Sequence, residues 1–215
     1  LDKKVAKLLS CELDHLLPPK RHCVLVVGLG NTEITPDALG PKTANRVLAT
    51  RHISRDLAAK LGLLEIKSVA VITPGVLGKT GIETKELILA AAKSISPSAI
   101  IVIDALAARS LSRLGSTVQI SNSGINPGSG VGNSRAEISQ KSLGVPVISV
   151  GVPTVVDAKT LIADITQENH AKCPDMIVTP KEIDIMINRA SELIASAINL
   201  SLQPSLSFED LAGLI

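Results

Sequence analysis

The chain has 215 residues, of which 45% are hydrophobic and 20% charged, and its formal net charge is +2. This length predicts one large domain, and no apolar run approaches the ~18 residues of a membrane span, so no membrane partner is expected. Phe208 is the only aromatic residue and no basic stripe stands out, which argues against direct nucleic-acid binding. Three widely spaced cysteines favour reduced thiols in a cytoplasmic protein.

Helical and strand patterns alternate along the chain. Leucines at helical spacing predict an N-terminal helix within residues 1–22, which ends at Pro18-Pro19. Strands are predicted at 23–27, 68–72, 99–103, 117–121 and 145–150, and helices at 41–60, at 83–95 and from a cap at Thr179 to about Leu200. This order predicts an α/β fold, a three-layer α/β/α sandwich with a mostly parallel central sheet. A single catalytic domain is expected over 23–202, followed by a C-terminal tail over 203–215.

Asp37 and Asp104 each follow a stretch that is typical of a buried parallel strand. Ligands of open α/β sheets bind outside the carboxyl ends of the strands, so both carboxylates are expected at one edge of the sheet. Two carboxylates there could share a proton or hold a metal, and either arrangement supports hydrolysis. A helix cap is the structural alternative for Asp37, whereas a buried strand end is a costly place for an unpaired Asp104 charge.

Other motifs narrow the chemistry. The Gly/Ser/Asn-rich segment 121–134 predicts a long loop, which we expect beside the two aspartates. A functional role is expected for it, since compact domains rarely keep such a loop without a use. A turn-rich connection is the alternative. The stretch 28–31 lacks the third glycine of a dinucleotide-binding fingerprint, and neither a P-loop nor an HExxH zinc motif is present. Asp157 is expected to cap the segment that begins at Ala158, with a third metal ligand as the alternative.

The chain resembles the germination protease family, the spore endopeptidases that degrade small acid-soluble spore proteins. The resemblance covers most of residues 23 to 200. It rests on matching stretches at 27–31, 35–41, 50–52, 74–78, 80–84, 103–110, 124–125, 127–133, 151–158 and 178–182.

The resemblance implies an atypical aspartic endopeptidase without metal or cofactor, in which Asp37 and Asp104 are the catalytic pair. It also implies a fold like that of the hydrogenase-maturation endopeptidases, a zymogen, a homo-oligomer and a place in the cytoplasm of the spore core. Contacts to the protein substrate are expected from one basic side chain and from the glycine loop, namely Arg109, Gly124, Asn126, Gly128, Ser129 and Gly130. A surface ion pair is the alternative for Arg109.

Two further interpretations stay open. One is a metal-dependent peptidase of the hydrogenase-maturation type. The other is a shortened, non-catalytic paralogue that acts as a binding protein. The second is suggested by departures from the family pattern: Asn126 stands where the family usually has His, the connection from 157 to 178 is short, and the chain begins just before the core, where the family typically has a long N-terminal extension. The start at Leu1 instead of Met suggests a processed or trimmed form.

Overall fold

The computed structural model of the chain describes residues 2–60, 62–63, 65–132, 135–167, 173 and 175–214. The helices of this part are α1 (Lys3–Leu16), α2 (Leu39–Ala44), α3 (Arg55–Lys60), α4 (Leu77–Thr80), α5 (Thr84–Ile95), α6 (Gln140–Leu143), α7 (Ala158–Thr166), α8 (Ile183–Leu202) and α9 (Phe208–Leu214). The strands are β1 (Val24–Gly28), β2 (Val69–Ile72), β3 (Ala99–Ala108), β4 (Gln119–Ser121), β5 (Val147–Asp157) and β6 (Ile177–Val178). Short 3-10 turns cover Thr35–Asp37, Leu111–Arg113 and Ser129–Val131.

The strands form one sheet in the order β2-β1-β3-β5-β4, and β6 pairs with the far end of β5. The four strands β1, β2, β3 and β5 run parallel, while β4 and β6 lie antiparallel to β5. The mostly parallel sheet predicted from the sequence is therefore confirmed. Because crossover helices connect parallel strands, the loops that follow β1, β2 and β3 emerge at the same edge of the sheet.

Apolar side chains on both faces of the sheet make this a three-layer α/β/α sandwich. Along β1, Val24 and Val26 point into one core and Leu25 and Val27 into the other, since successive strand residues face opposite ways. Helices α1, α2 and α8 cover the first face, and α5 and α6 cover the second. With only one aromatic residue in the chain, both cores consist of Ile, Leu, Val and Ala.

The single helix predicted over 41–60 is wrong, because α2 ends at Ala44 and α3 begins only at Arg55. The buried Asn199 side chain of α8 holds the intervening segment: its Nδ2 donates to Arg46 O and its Oδ1 accepts from Leu48 N, each at 2.9 Å. These hydrogen bonds replace those that helix continuation would make. Such a partner, about 150 residues away in sequence, leaves no sign in local periodicity.

The prediction that the last helix begins at Thr179 is also wrong. Helix α8 begins at Ile183, and the residue before it, Glu182, makes no side-chain capping bond. Immediately upstream, β6 pairs antiparallel with the end of β5. This pairing keeps the chain extended into Thr179, which precedes a proline and is therefore disfavoured in helical conformation.

Strand β5 was expected over 145–150 but runs to Asp157. Gly151 lies within the strand and does not end it. Its missing side chain leaves room for Leu106 of β3, since an added Cβ would lie 2.6 Å from Leu106 Cδ1. Pro153 lies opposite Leu106, where the β3–β5 register shifts. A missing N–H is tolerated at such a bulge.

Two findings concern the remainder of the described chain. The 203–215 segment contains α9, whose Leu211 is buried, and the side chain of Gln203 is fully buried as well. Among the helices of the described residues, none combines the length and apolar character needed to cross a membrane.

Candidate active site

A cavity of about 790 Å³ lies where β1 and β2 end and beside the second half of β3, and both Asp37 and Asp104 line it. Two of its walls are segments that follow strands, Leu29–Asn31 after β1 and Gly75–Gly78 after β2. A third wall is Asp104–Ala107, in the second half of β3. The loop residues Asn126–Gly130 form a further wall. The structure thus brings both predicted aspartates to one edge of the sheet, as the strand pattern indicated.

Asp104 lies in the second half of β3 and is only 5% exposed. Burial, and secondly the negative charge of Asp37, raise the pKa of the Asp104 carboxyl from 3.8 to about 7. The backbone N–H of Ala105 donates to Asp104 Oδ1 at 2.9 Å and opposes this rise, because it favours the ionised form. Near neutral pH the Asp104 carboxyl is therefore poised between its protonated and ionised forms.

Asp37 ends the 3-10 turn Thr35–Asp37, and its Oδ2 accepts the backbone N–H of Asn31 at 2.8 Å. Burial raises the pKa of Asp37, and the Asn31 N–H opposes that rise. The turn needs Gly30, whose φ is +117° and whose added Cβ would lie 2.0 Å from Asp37 O. The capping alternative for Asp37 is not seen, since α2 begins without a side-chain capping bond.

The two carboxyl groups interact electrostatically, because the charge of Asp37 contributes to the raised pKa of Asp104. Two like charges that share a cavity do not both ionise readily, so the pair favours one proton between them. The more exposed Asp37 is the better candidate for the ionised partner. Such a pair can accept a proton from one group and donate a proton to another in the same reaction.

Most of the predicted substrate contacts line the same cavity. These are Arg109, Asn126, Gly128, Ser129 and Gly130. Gly124 is not among the lining residues. Its α-carbon packs against Ser139 and Ile138, where an added Cβ would lie 2.6 Å from Ser139 Cβ.

Asp157 lies at the C-terminal end of β5, and its role as a cap is confirmed: its Oδ1 accepts the backbone N–H of Lys159 at 2.8 Å at the start of α7. It is not part of the cavity lining. Among the described residues, no group of three or more His, Cys, Asp or Glu side chains is placed to hold a metal ion.

Several residues of the cavity were not anticipated from the sequence. Arg135 lines it together with Thr154 of β5 and the exposed apolar side chains Ile34 and Ile177. The backbone N–H of Arg135 donates to Pro127 O at 2.9 Å, which holds it beside the glycine loop. The position of Arg135 just after the glycine loop was the one sequence feature that could have indicated its place at the cavity. Thr154 and Ile177 gave none, because β5 and β6 were not expected to extend or pair there.

The sequence model of the germination protease family matches residues 1–169. A germination protease from Caldanaerobacter subterraneus subsp. tengcongensis is 42% identical over 250 aligned positions, which cover 100% of this chain and 77% of the relative. One from Clostridium acetobutylicum is 41% identical and covers 97% of this chain and 75% of the relative. One from Priestia megaterium is 49% identical over 164 positions, with 76% of this chain and 44% of the relative covered.

These matches place the chain in a class of peptidases. It belongs to the germination protease family. The alignment with the Caldanaerobacter protein is longer than the chain itself, so that relative carries residues within the matched span that this chain lacks.

Among solved structures, the chain is similar to a [NiFe] hydrogenase maturation protease, HycI, from Thermococcus kodakarensis. The sequence identity is 15% and the TM-score 0.49, with 87% of this chain and 98% of that chain covered. The solution structure of the endopeptidase HycI from Escherichia coli is similar with 13% identity and a TM-score of 0.36.

Proposed function

We propose that the chain is an endopeptidase that hydrolyses peptide bonds with Asp37 and Asp104 as a general acid–base pair. The observation that carries the proposal is the buried Asp104 carboxyl, which shares one cavity with Asp37. Burial, and secondly the charge of Asp37, raise the pKa of Asp104 to about 7. Ionised Asp37 takes a proton from a water molecule, and the water oxygen bonds to the scissile carbonyl carbon. Protonated Asp104 gives its proton to the carbonyl oxygen, which yields a neutral tetrahedral intermediate.

The second half of the reaction returns both groups to their starting state. The proton on Asp37 passes to the amide nitrogen, the C–N bond breaks, and the amine leaves. A hydroxyl proton of the intermediate returns to Asp104 as the new carboxylic acid forms. The assignment of acid and base follows the environments, since Asp104 is the more deeply buried carboxyl and burial disfavours its charge.

Substrate positioning falls to the cavity rim. The loop Asn126–Gly130 lines the cavity, and in this proposal its free backbone N–H groups donate to the substrate or to the developing oxyanion. Arg109 docks an acidic group of the substrate in this proposal. In support, Arg109 is exposed at the cavity. It has no ion pair among the described residues, whereas the surface ion-pair alternative would require one.

Family membership supports small acid-soluble spore proteins as substrates, and with them the spore core as the place of action. The catalytic domain is assigned to residues 23–202. Zymogen origin and homo-oligomeric assembly belong to the same proposal.

The test is incubation with a purified small acid-soluble spore protein, with cleavage followed by mass spectrometry. We expect Asp104→Asn and Asp37→Asn each to lower turnover by roughly 10²–10⁴-fold, the usual contribution of a positioned acid or base. Asp157→Asn is the matched control, because it loses a carboxylate outside the cavity while Asn remains a good helix cap.

Turnover by Asp104→Asn near that of the wild type, with the same unfolding curve, would refute the acid–base pair. Loss of wild-type activity in a chelator, restored by a divalent ion, would favour the metal-dependent peptidase instead.

A further inference from the structure

The second half of β3 has a partner on one side only. β1 pairs with β3 up to Gly28, which lies opposite Ile103, and the N–H of Leu29 then donates to Ile103 O at 2.8 Å. β3 continues to Ala108 and stays paired with β5 on its other side throughout. From Asp104 onward, the β1-facing edge of β3 is therefore without a neighbouring strand in the described part of the chain.

Strand geometry identifies the free group on this edge. In a parallel sheet the backbone groups of alternate residues point to the same neighbour, and Ile103 points toward β1. Ala105, two residues on, points the same way. Its N–H donates to the Asp104 carboxylate, and its C=O has no partner among the residues that the structure describes. An unpaired carbonyl on a strand edge is a site for pairing with another chain.

This edge forms one wall of the cavity that holds the aspartates. Asp104–Ala107 line the cavity, and so do Gly75–Gly78, which follow β2 on the other side of β1. From Asp104 to Ala107 the edge spans three steps of ~3.3 Å, or about 10 Å, and lies alongside roughly four extended peptide residues. Ile34 and Ile177, 52% and 48% exposed, line the same cavity and leave apolar surface for a partner to cover.

We propose that the protein substrate binds as an added strand on the free edge of β3, in line with β1, with one of its amide N–H groups donating to Ala105 O. This inference rests on the proposed peptidase function and names how the site holds its substrate. Backbone pairing requires an extended segment and is indifferent to most side chains. The bound segment then passes beside Asp104, because the carbonyl that accepts its N–H belongs to Ala105, the residue after Asp104. The scissile bond lies at this point. A folded substrate must locally unfold to enter, so disordered or loosely folded proteins are the preferred class.

The experiment is an ester scan of a short peptide that spans a cleavage site mapped in a small acid-soluble spore protein. Each amide is replaced in turn by an ester, which removes the N–H donor without adding bulk. The affinity of each peptide is measured with the Asp104→Asn protein, whose side-chain oxygen can still accept the Ala105 N–H. We expect one ester to weaken binding by up to about tenfold, the value of one hydrogen bond, and the esters on either side of it to leave the Kd nearly unchanged.

NMR of the Ala105 carbonyl gives an independent measurement of the same hydrogen bond. On peptide binding, the carbonyl carbon of Ala105 should shift in the NMR spectrum, and the shift should be lost with the sensitive ester. Equal tolerance of every ester, equal loss at every ester, or no binding of a peptide that the wild type cleaves would each overturn the added strand. Failure of the proposed function has a different signature, namely that the wild-type protein leaves the unmodified peptide intact.

Discussion

The Asp104 carboxyl is held where its charge is unfavourable, and this has a measurable effect on stability. Its pKa in the folded chain is about 7, compared with 3.8 for the unperturbed group. The folded state therefore keeps the proton at pH values where the unfolded state has lost it. The contribution of Asp104 to stability is fully present below pH 4 and is lost as the pH rises through 7.

We expect Asp104→Asn to become more stable than the wild type as the pH rises from 4 to 8. Asn resembles the protonated carboxyl and has no charge to bury, and three pKa units correspond to on the order of 4 kcal/mol. The free energy of unfolding, measured by urea titration at several pH values, gives the comparison. A difference between the two proteins that does not change with pH would contradict the raised pKa.

The coupling between the two acids gives a second prediction. Asp37→Asn should lower the pKa of Asp104, because it removes the like charge, but should leave it above 3.8, because burial is the larger cause. Carboxyl carbon NMR titration reads this directly. Asp157→Asn serves as a control that should leave the titration of Asp104 unchanged, since Asp157 lies outside the cavity.

Asp157 contributes to stability through a cap, not through chemistry. Asp157→Ala should lower the free energy of unfolding by about 1 kcal/mol, because the Lys159 N–H loses its acceptor, and should leave turnover close to that of the wild type. Asp157→Asn should restore most of the stability. A fall in turnover as large as that of Asp104→Asn, with stability unchanged, would assign Asp157 to the active site.

The packing of α2 on β1 sets the position of both acids. An added Cβ at Gly40 would lie 2.1 Å from Leu29 O and 2.5 Å from Ile103 O, so helix and strand backbones touch with no side chain between them. Gly40 follows Asp37 by three residues, and Ile103 immediately precedes Asp104. This contact therefore ties the turn that carries one acid to the strand that carries the other.

Gly40→Ala should lower the free energy of unfolding by roughly 1–3 kcal/mol and should reduce turnover as well, because α2 must move away from the strand ends. Gly213→Ala is the matched control, since Gly213 is also helical, lies outside the cavity, and a Cβ there meets nothing within 4 Å. Thermal unfolding and peptide cleavage are measured on both. Unchanged turnover in a destabilised Gly40→Ala protein would separate the packing contact from the site.

The C-terminal part of the chain is tied to the sheet by one buried amide. Gln203 Oε1 accepts the Lys67 N–H, and Gln203 Nε2 donates to Lys67 O, both at 2.8 Å. Together these bonds join the end of α8 to the segment that enters β2. These bonds thus fix the beginning of the segment after residue 202 against the sheet.

Gln203→Ala should lower the free energy of unfolding by roughly 1–3 kcal/mol, because the Lys67 N–H loses its acceptor and the Lys67 carbonyl keeps only the Thr50 hydroxyl as a donor. The exposed Gln140 provides the control, and Gln140→Ala should have little effect. Chemical denaturation of the whole chain gives both values. Equal stability of the two variants would show that water replaces the Gln203 amide without cost.

Local sequence patterns were enough to predict the layered α/β architecture and the position of both acids at one edge of the sheet. Apolar periodicity and the alternation of strands and helices are local properties, and the carboxyl ends of parallel strands share one edge whatever the details of packing. For this reason the placement of Asp37 and Asp104 in one cavity could be predicted, as could the cap at Asp157.

Tertiary contacts set the break in the 41–60 segment, the length of β5, and the presence of Arg135 and Thr154 at the cavity. Each depends on a partner distant in sequence, such as Asn199 for the 41–60 segment, and no local pattern records it. The raised pKa of Asp104 and the free edge of β3 likewise depend on parts of the chain that are distant in sequence. The first requires burial and the approach of Asp37, and the second requires β1 to end where β3 continues.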